Sequence, residues 1–224
     1  EERHEDAVRK SMKTVVKALP ARALAEEKWT VNMPPLDEAL LIPAGVNYVG
    51  KGANLYELGY KFHGSINVVL KHLRTTWLWD KVRVQGGAYG AFSSFDRFSG
   101  SFAFVSYRDP NVERTLGIYD DTARYLQNID LSPLELERGI IGAIGDLDVY
   151  QLPSAKGSSS FYRHLIGDTR ELRQQMREEM LATNIDDFRA LGAVMAKVAE
   201  SGNICLLGGA AVEEFAKAKN ILTR

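Results

Sequence analysis

Two runs rich in aromatic and small residues, Ala88 to Phe95 and Ser101 to Tyr107, flank the five residues Asp96-Arg97-Phe98-Ser99-Gly100, and this pattern constrains the fold more than any other. Turn formers between two strand formers specify a hairpin, so antiparallel pairing is made locally. Helical periodicity surrounds it. Ala7, Val8, Met12, Val15, Val16 and Leu19 recur on one face until Pro20 stops the pattern, predicting an amphipathic helix that needs a partner surface. After a turn at Pro34-Pro35, the stretch from Leu40 to Gly50 is rich in strand formers but interrupted by Pro43 and Gly45, giving one bent strand or two short ones. Ile66, Val69, Leu70, Leu73 and Trp77 predict a second helix that ends near Asp80-Lys81-Val82-Arg83. Val112, Leu116, Ile118, Tyr119, Ala123 and Leu126 mark a third. Ser132-Pro133 starts a fourth that runs to about Leu147. Gln151 to Gly157 reads as a loop, and helices fill most of Phe161 to Ala199, with breaks near Gly167-Asp168 and Thr183-Asn184. A last strand at Ile204 to Leu207 and a short helix after Gly209 complete the chain. The order places local antiparallel pairing beside clustered helices, which predicts an α+β fold: a mainly antiparallel sheet with helices packed on one face.

Composition removes several functions. The 224 residues are 45% hydrophobic and 25% charged, enough to bury a sizeable core. Lys+Arg 28 against Asp+Glu 29 leaves a net charge of -1, with no excess to grip nucleic acid or an anionic membrane. No apolar run approaches the roughly 20 residues of a membrane span, so a soluble protein is expected. The single cysteine, Cys205, lies in an apolar run and is expected to serve as an inert core hydrophobe; it can form no intramolecular disulfide. The opening residues Glu1-Glu2-Arg3-His4-Glu5-Asp6 are too charged for a signal peptide and lead straight into a helix, as expected of a cut within a longer polypeptide.

Most catalytic motifs fail too. His4, His63, His72 and His164 fit neither His-x-x-Glu-His nor His-Glu-x-x-His, so no metal site is expected in this chain, and His72 reads as a surface or boundary residue. There is no Gly-x-Ser-x-Gly elbow, and Gly86-Gly87-Ala88-Tyr89-Gly90 lacks the Lys-Ser/Thr of a phosphate-binding loop. The paired glycines Gly86 and Gly87 do permit unusual backbone angles and hold Tyr89 just as a strand begins. Arg83 precedes Tyr89 by six residues. If the turn folds back, a guanidinium and a phenol share one space, a combination suited to a carbonyl oxygen that gains charge during hydrolysis. Equally, Arg83 could cap a helix C-terminus and Tyr89 fill core. Spacing leaves both open.

The run Arg83-Val84-Gln85-Gly86-Gly87-Ala88-Tyr89-Gly90 resembles the signature of the C-terminal half of presequence proteases, zinc peptidases of the pitrilysin superfamily with an inverted His-x-x-Glu-His motif. Val46-Asn47-Tyr48-Val49-Gly50, Ser106-Tyr107-Arg108-Asp109-Pro110-Asn111 and Pro153-Ser154-Ala155-Lys156-Gly157 agree in the same order, and the similarity extends from about Leu36 onward. The resemblance implies that residues 1–35 are a helix and linker from a preceding region. Residues 36–224 would then form a C-terminal, metal-free, processing-peptidase-like domain. It also implies that Arg83 and Tyr89 reach the scissile carbonyl of an unstructured peptide such as a cleaved presequence, with Gly86 and Gly87 as the supporting loop. Zinc and the general base would come from the N-terminal half of the same protein, so this fragment alone would be inactive. The compartment implied is a mitochondrial or chloroplast matrix in a eukaryote and the cytoplasm in a bacterium. The competing expectation is a non-catalytic partner or structural subunit of a processing-peptidase-like assembly. Tolerance of phenylalanine at position 89 would mark it.

Overall fold

The computed structural model describes residues 4–20 and 37–224, so the expected turn at Pro34-Pro35 lies outside the described residues. The chain divides into two units, Glu1–Pro34 and Pro35–Arg224. In the first, helix α1 (Glu5–Ala18) carries the expected apolar stripe, and Glu5 and Asp6 in its first turn and Lys17 in its last complement the helix dipole.

In the second unit, strands β1 (Glu38–Leu41), β2 (Asn47–Asn54), β3 (Gly90–Phe95), β4 (Ser101–Asp109), β5 (Asn203–Gly208) and β6 (Leu222–Thr223) form one sheet in the order β3-β4-β2-β5-β1-β6. The pairs from β3 through β5 are antiparallel, while β5–β1 and β1–β6 are parallel. The stretch interrupted by Pro43 and Gly45 therefore makes two strands, and β5 from the far end of the sequence inserts between them. Seven helices follow in chain order: α2 (Ser65–Thr75), α3 (Glu113–Gln127), α4 (Pro133–Leu147), α5 (Pro153–Leu165), α6 (Arg170–Leu181), α7 (Ile185–Ser201) and α8 (Ala210–Lys219).

Strand alternation assigns the two faces of the sheet. Ala39, Val49, Phe104 and Leu206 are fully buried on the helix side. There Phe104 stacks on Tyr119 of α3 at 5.0 Å, and the Tyr119 hydroxyl donates to the Val49 carbonyl at 3.3 Å. Lys51, only 6% exposed, points the same way and donates to Asp120 at 2.6 Å and to the carbonyl of Ala199 at 2.8 Å, tying β2 to α3 and α7. Tyr48, Gly50, Gly52, Ala103, Val105, Cys205 and Leu207 line a hollow on the opposite face.

Three expectations need correction. Cys205 is exposed rather than buried, because its odd register in β5 turns it to the face opposite Leu206. Gln151 to Gly157 is not a loop throughout: Pro153 occupies the first turn of α5, where its missing N–H costs nothing, and the helix runs on through Gly157. His72 is buried, with Nε2 at 2.7 Å from the Tyr125 hydroxyl, and burial lowers its pKa below 6.5 despite the opposing charge of Glu135.

Candidate functional site

The expected second helix breaks at Thr76 and then resumes, widening as it goes on to Val84. α2 ends at Thr75, and Trp79–Val84 form a wide π-helical turn in which the Gln85 N–H donates to the Asp80 carbonyl at 2.9 Å, five residues back. The Gln85 side chain supports the same turn through Asp80 at 2.8 Å. Side-chain chemistry explains where the turn sits. Trp77 is stacked on Tyr125 at 4.5 Å and donates its indole N–H to Thr122 at 3.0 Å, which fixes the chain just upstream. Leu78 and Val82, four residues apart, are fully buried. Trp79 and Arg83, also four apart, are thereby presented together, with the Arg83 guanidinium 3.9 Å from the centre of the Trp79 indole.

The chain then reverses. Gly87 N–H donates to the Arg83 carbonyl at 2.9 Å and Ala88 N–H to the Val82 carbonyl at 3.1 Å. A Cβ at Gly86 would lie 2.4 Å from the Val82 carbonyl oxygen, and Gly87 has φ +81, so each glycine is required for a separate reason. Buried Ala88 anchors the loop, and the N–H of Tyr89 donates to the carbonyls of Tyr107 at 3.1 Å and Arg108 at 3.4 Å as β3 begins. The ring of Tyr89 stands at 83° to that of Tyr107, 5.5 Å away, and is 65% exposed. Tyr89 is therefore not a core residue.

The Tyr-Arg-Asp-Pro-Asn segment is built against this loop. Asp109 is fully buried and accepts from the Thr115 hydroxyl at 2.7 Å and the Asn111 N–H at 2.9 Å, which shapes a tight corner after β4. From that corner Asn111 donates to the Gly86 carbonyl at 2.6 Å, and Arg114 donates to the Gln85 carbonyl at 3.1 Å. A Cβ at Gly87 would lie 3.5 Å from the Pro110 ring. Two segments about twenty residues apart in sequence are thus one structural unit.

Arg83 and Tyr89 are brought together with Trp79, Val84, Gly87, Ala88 and Arg108 around an open concavity of about 620 Å³. A second concavity of about 430 Å³ shares Trp79, Arg83 and Tyr89 and adds Lys71, Arg74, Phe92 and Asp146. Those three shared residues form a ridge between two hollows. Among the described residues, neither the Arg83 guanidinium nor the Tyr89 hydroxyl has an ion-pair or hydrogen-bond partner. No group of three His, Cys, Asp or Glu side chains among the described residues could hold a metal ion, and none of their helices is long and apolar enough to cross a membrane. Sequence reasoning missed Trp79 and Arg108 as members of the site. The four-residue step from Trp79 to Arg83 was the signal available for the first.

A family model described as the PreP C-terminal domain matches residues 37–208. Presequence protease 1, chloroplastic/mitochondrial, of Arabidopsis thaliana is 51% identical over 174 residues, covering 78% of this chain and 16% of that protein. Protein HypA of Clostridium perfringens is 34% identical over 183 residues, covering 82% of this chain and 19% of that protein. The solved peptidase M16 inactive domain from Pseudomonas fluorescens superposes with a TM-score of 0.63 at 16% identity, covering 88% of this chain and 49% of that one, a likeness of fold. The chain therefore spans less than a fifth of the length of these two curated relatives. The family match runs from the residue before β1 to the end of β5 and takes in both segments of the site, so the chain belongs to the presequence-protease C-terminal domain family.

Proposed function

We propose that this domain supplies carbonyl-binding groups to a zinc metalloendopeptidase that degrades unstructured peptides such as cleaved presequences. The zinc and the general base are held by the N-terminal half of the same protein. The supporting observation is the pairing of Arg83 and Tyr89 on one concavity, both free of partners among the described residues and both seated on rigidly tied backbone. Among the described residues no group of three His, Cys, Asp or Glu side chains could hold zinc, and the roles proposed for this domain are those of Arg83 and Tyr89. The Arabidopsis relative is a presequence protease, which supports the substrate class, and it is chloroplastic and mitochondrial, which supports an organelle compartment for a eukaryotic source.

The chemistry assigned to this chain is electrostatic. As the scissile carbonyl carbon becomes tetrahedral, its oxygen gains negative charge, and a phenol O–H and a guanidinium N–H donate to it more strongly than to the planar carbonyl. The indole of Trp79 beneath Arg83, and the Tyr107 ring against Tyr89, restrict both side chains before substrate arrives. Donors already in place need little reorganisation during the reaction.

The test is turnover of a quenched fluorescent peptide by the assembled peptidase, this domain together with its zinc-bearing half, with Tyr89→Phe compared to wild type at equal zinc content and equal melting temperature. A fall of about a hundred-fold is expected, the size of a lost oxyanion donor. Unchanged turnover would leave Tyr89 without a catalytic part and favour the non-catalytic partner reading.

A further inference from the structure

A bulge carries the strongest unexplained feature of the site. Asn47 pairs with Asp109 and Val49 with Ser106, so the single residue Tyr48 of β2 faces two residues of β4, Tyr107 and Arg108. The bulge places Arg108 at φ +48, a left-handed conformation that glycine adopts freely and arginine does not. The backbone has a structural task there, because the Arg108 carbonyl helps to seat the Tyr89 N–H. The side chain has only loose cation–π contacts in the fold. It is exposed and makes no ion pair or hydrogen bond among the described residues; its guanidinium lies 5.4 Å from the Tyr107 ring centre and 5.9 Å from that of Tyr89.

The two hollows beside the ridge differ in charge. In one, Lys71 and Arg74 share the carboxylate of Asp146 at 3.0 and 3.8 Å. The other contains Arg83 and Arg108 and no carboxylate among its lining residues. From this asymmetry we infer that Arg108 is a specificity residue that binds a carboxylate of the peptide substrate, close to the bond addressed by Arg83 and Tyr89. A planar guanidinium with free N–H groups is matched to a carboxylate's two oxygens. The Arg108 guanidinium lies 5.9 Å from the centre of the Tyr89 ring, on the same concavity, so a carboxylate bound by Arg108 belongs within a few residues of the bond that Tyr89 addresses. The carboxylate is a Glu or Asp side chain at that distance, or the free C-terminus of a short peptide.

The inference rests on the proposed role of Tyr89, and the experiment separates the two. In the assembled peptidase, kcat/KM is measured for matched peptides: Glu against Gln at each of the two residues on either side of the cleaved bond, and a free against an amidated C-terminus. Wild type is expected to favour one acidic member by about ten-fold or more, the size of a charge-assisted hydrogen bond. Arg108→Gly should bring that ratio close to one with no loss of melting temperature, since glycine suits the bulge. The Glu/Gln pairs report a side-chain carboxylate and the acid/amide pair a C-terminal one. A wild-type ratio near one in every pair, or a ratio that survives Arg108→Gly, overturns the inference. Tyr89→Phe assayed on the neutral peptides stands apart: full turnover there overturns the site and this inference with it, whereas a large loss there combined with an unmoved Arg108 ratio overturns the carboxylate role alone.

Discussion

Replacing Gly86 and Gly87 in turn, by alanine and by asparagine, separates two reasons for a glycine beneath Tyr89. At Gly86 the obstacle is space: a Cβ would stand 2.4 Å from the Val82 carbonyl oxygen and 3.0 Å from that of Lys81, both backbone atoms of the turn that carries Arg83. Relief requires the turn to move, and forcing atoms into packed structure costs about 1–3 kcal/mol. The gain from a less flexible unfolded chain returns about 0.4–1 kcal/mol, so Gly86→Ala should destabilise by about 1–2 kcal/mol net. At Gly87 there is room, with only the Pro110 ring at 3.5 Å, and the obstacle is φ +81. Left-handed backbone costs alanine about 1–2 kcal/mol, so after the same unfolded-state gain Gly87→Ala loses about 1 kcal/mol. Asparagine tolerates that conformation. The ranking should therefore cross over: asparagine is milder than alanine at position 87 and harsher at position 86. Urea unfolding of the 224-residue chain reads the four midpoints. Gly87→Asn as damaging as Gly87→Ala, or Gly86→Ala as mild as Gly87→Asn, would refute the division into space and backbone angle.

Burial holds the His72 pKa below its ordinary 6.5, so below that pH the unfolded chain binds more protons than the folded one. The contribution of neutral His72 to stability is accordingly full above about pH 6.5 and is lost as pH falls toward its folded pKa. His72→Gln should flatten that part of a melting-temperature profile taken between about pH 5 and 8. Asp120→Ala leaves the buried Lys51 ammonium with the Ala199 carbonyl alone. A loss of about 1–3 kcal/mol is expected, toward the lower end because Asp120 is partly in water. Chemical denaturation of Asp120→Ala beside the Lys51→Met, Asp120→Ala double variant checks it, and the double variant should recover part of the loss.

The fold was legible where the pattern is local. The hairpin turn at Asp96 to Gly100, the N-cap at Ser132 followed by Pro133, and the breaks near Gly167 and Asn184 are each written within a few residues. Sheet order is not local. β5 lies between β1 and β2 because Leu206 fits the helix-covered face beside Val49 and Ala39, a match between residues over 150 positions apart that no window of sequence contains. The exposure of Cys205 follows from the same cause: its run is apolar, but one residue of register decides which side of the sheet it takes. Arg83, Gly86, Gly87 and Tyr89 were visible as a motif, whereas Trp79 and Arg108 join the site only through a π-turn and a bulge, whose residues read as ordinary helix and ordinary strand end.

The placement of irregular backbone bears on function more than its amount. Left-handed residues elsewhere sit at turns or helix ends and are glycines, at Gly59, Gly100 and Gly167, or the asparagine Asn220 that ends α8. Those positions follow from chain reversal and helix termination alone. Arg108 is the exception among the described residues, a long cationic side chain at a left-handed position inside a paired strand, one residue from the ring that packs on Tyr89. The π-turn presenting Arg83 ends just before the left-handed Gly87, and all three irregularities converge on the single concavity that Arg83, Gly87, Tyr89 and Arg108 line. Local rules are kept across the scaffold and broken together here, which is the distribution expected when a site, rather than the stability of the sheet, dictates the backbone.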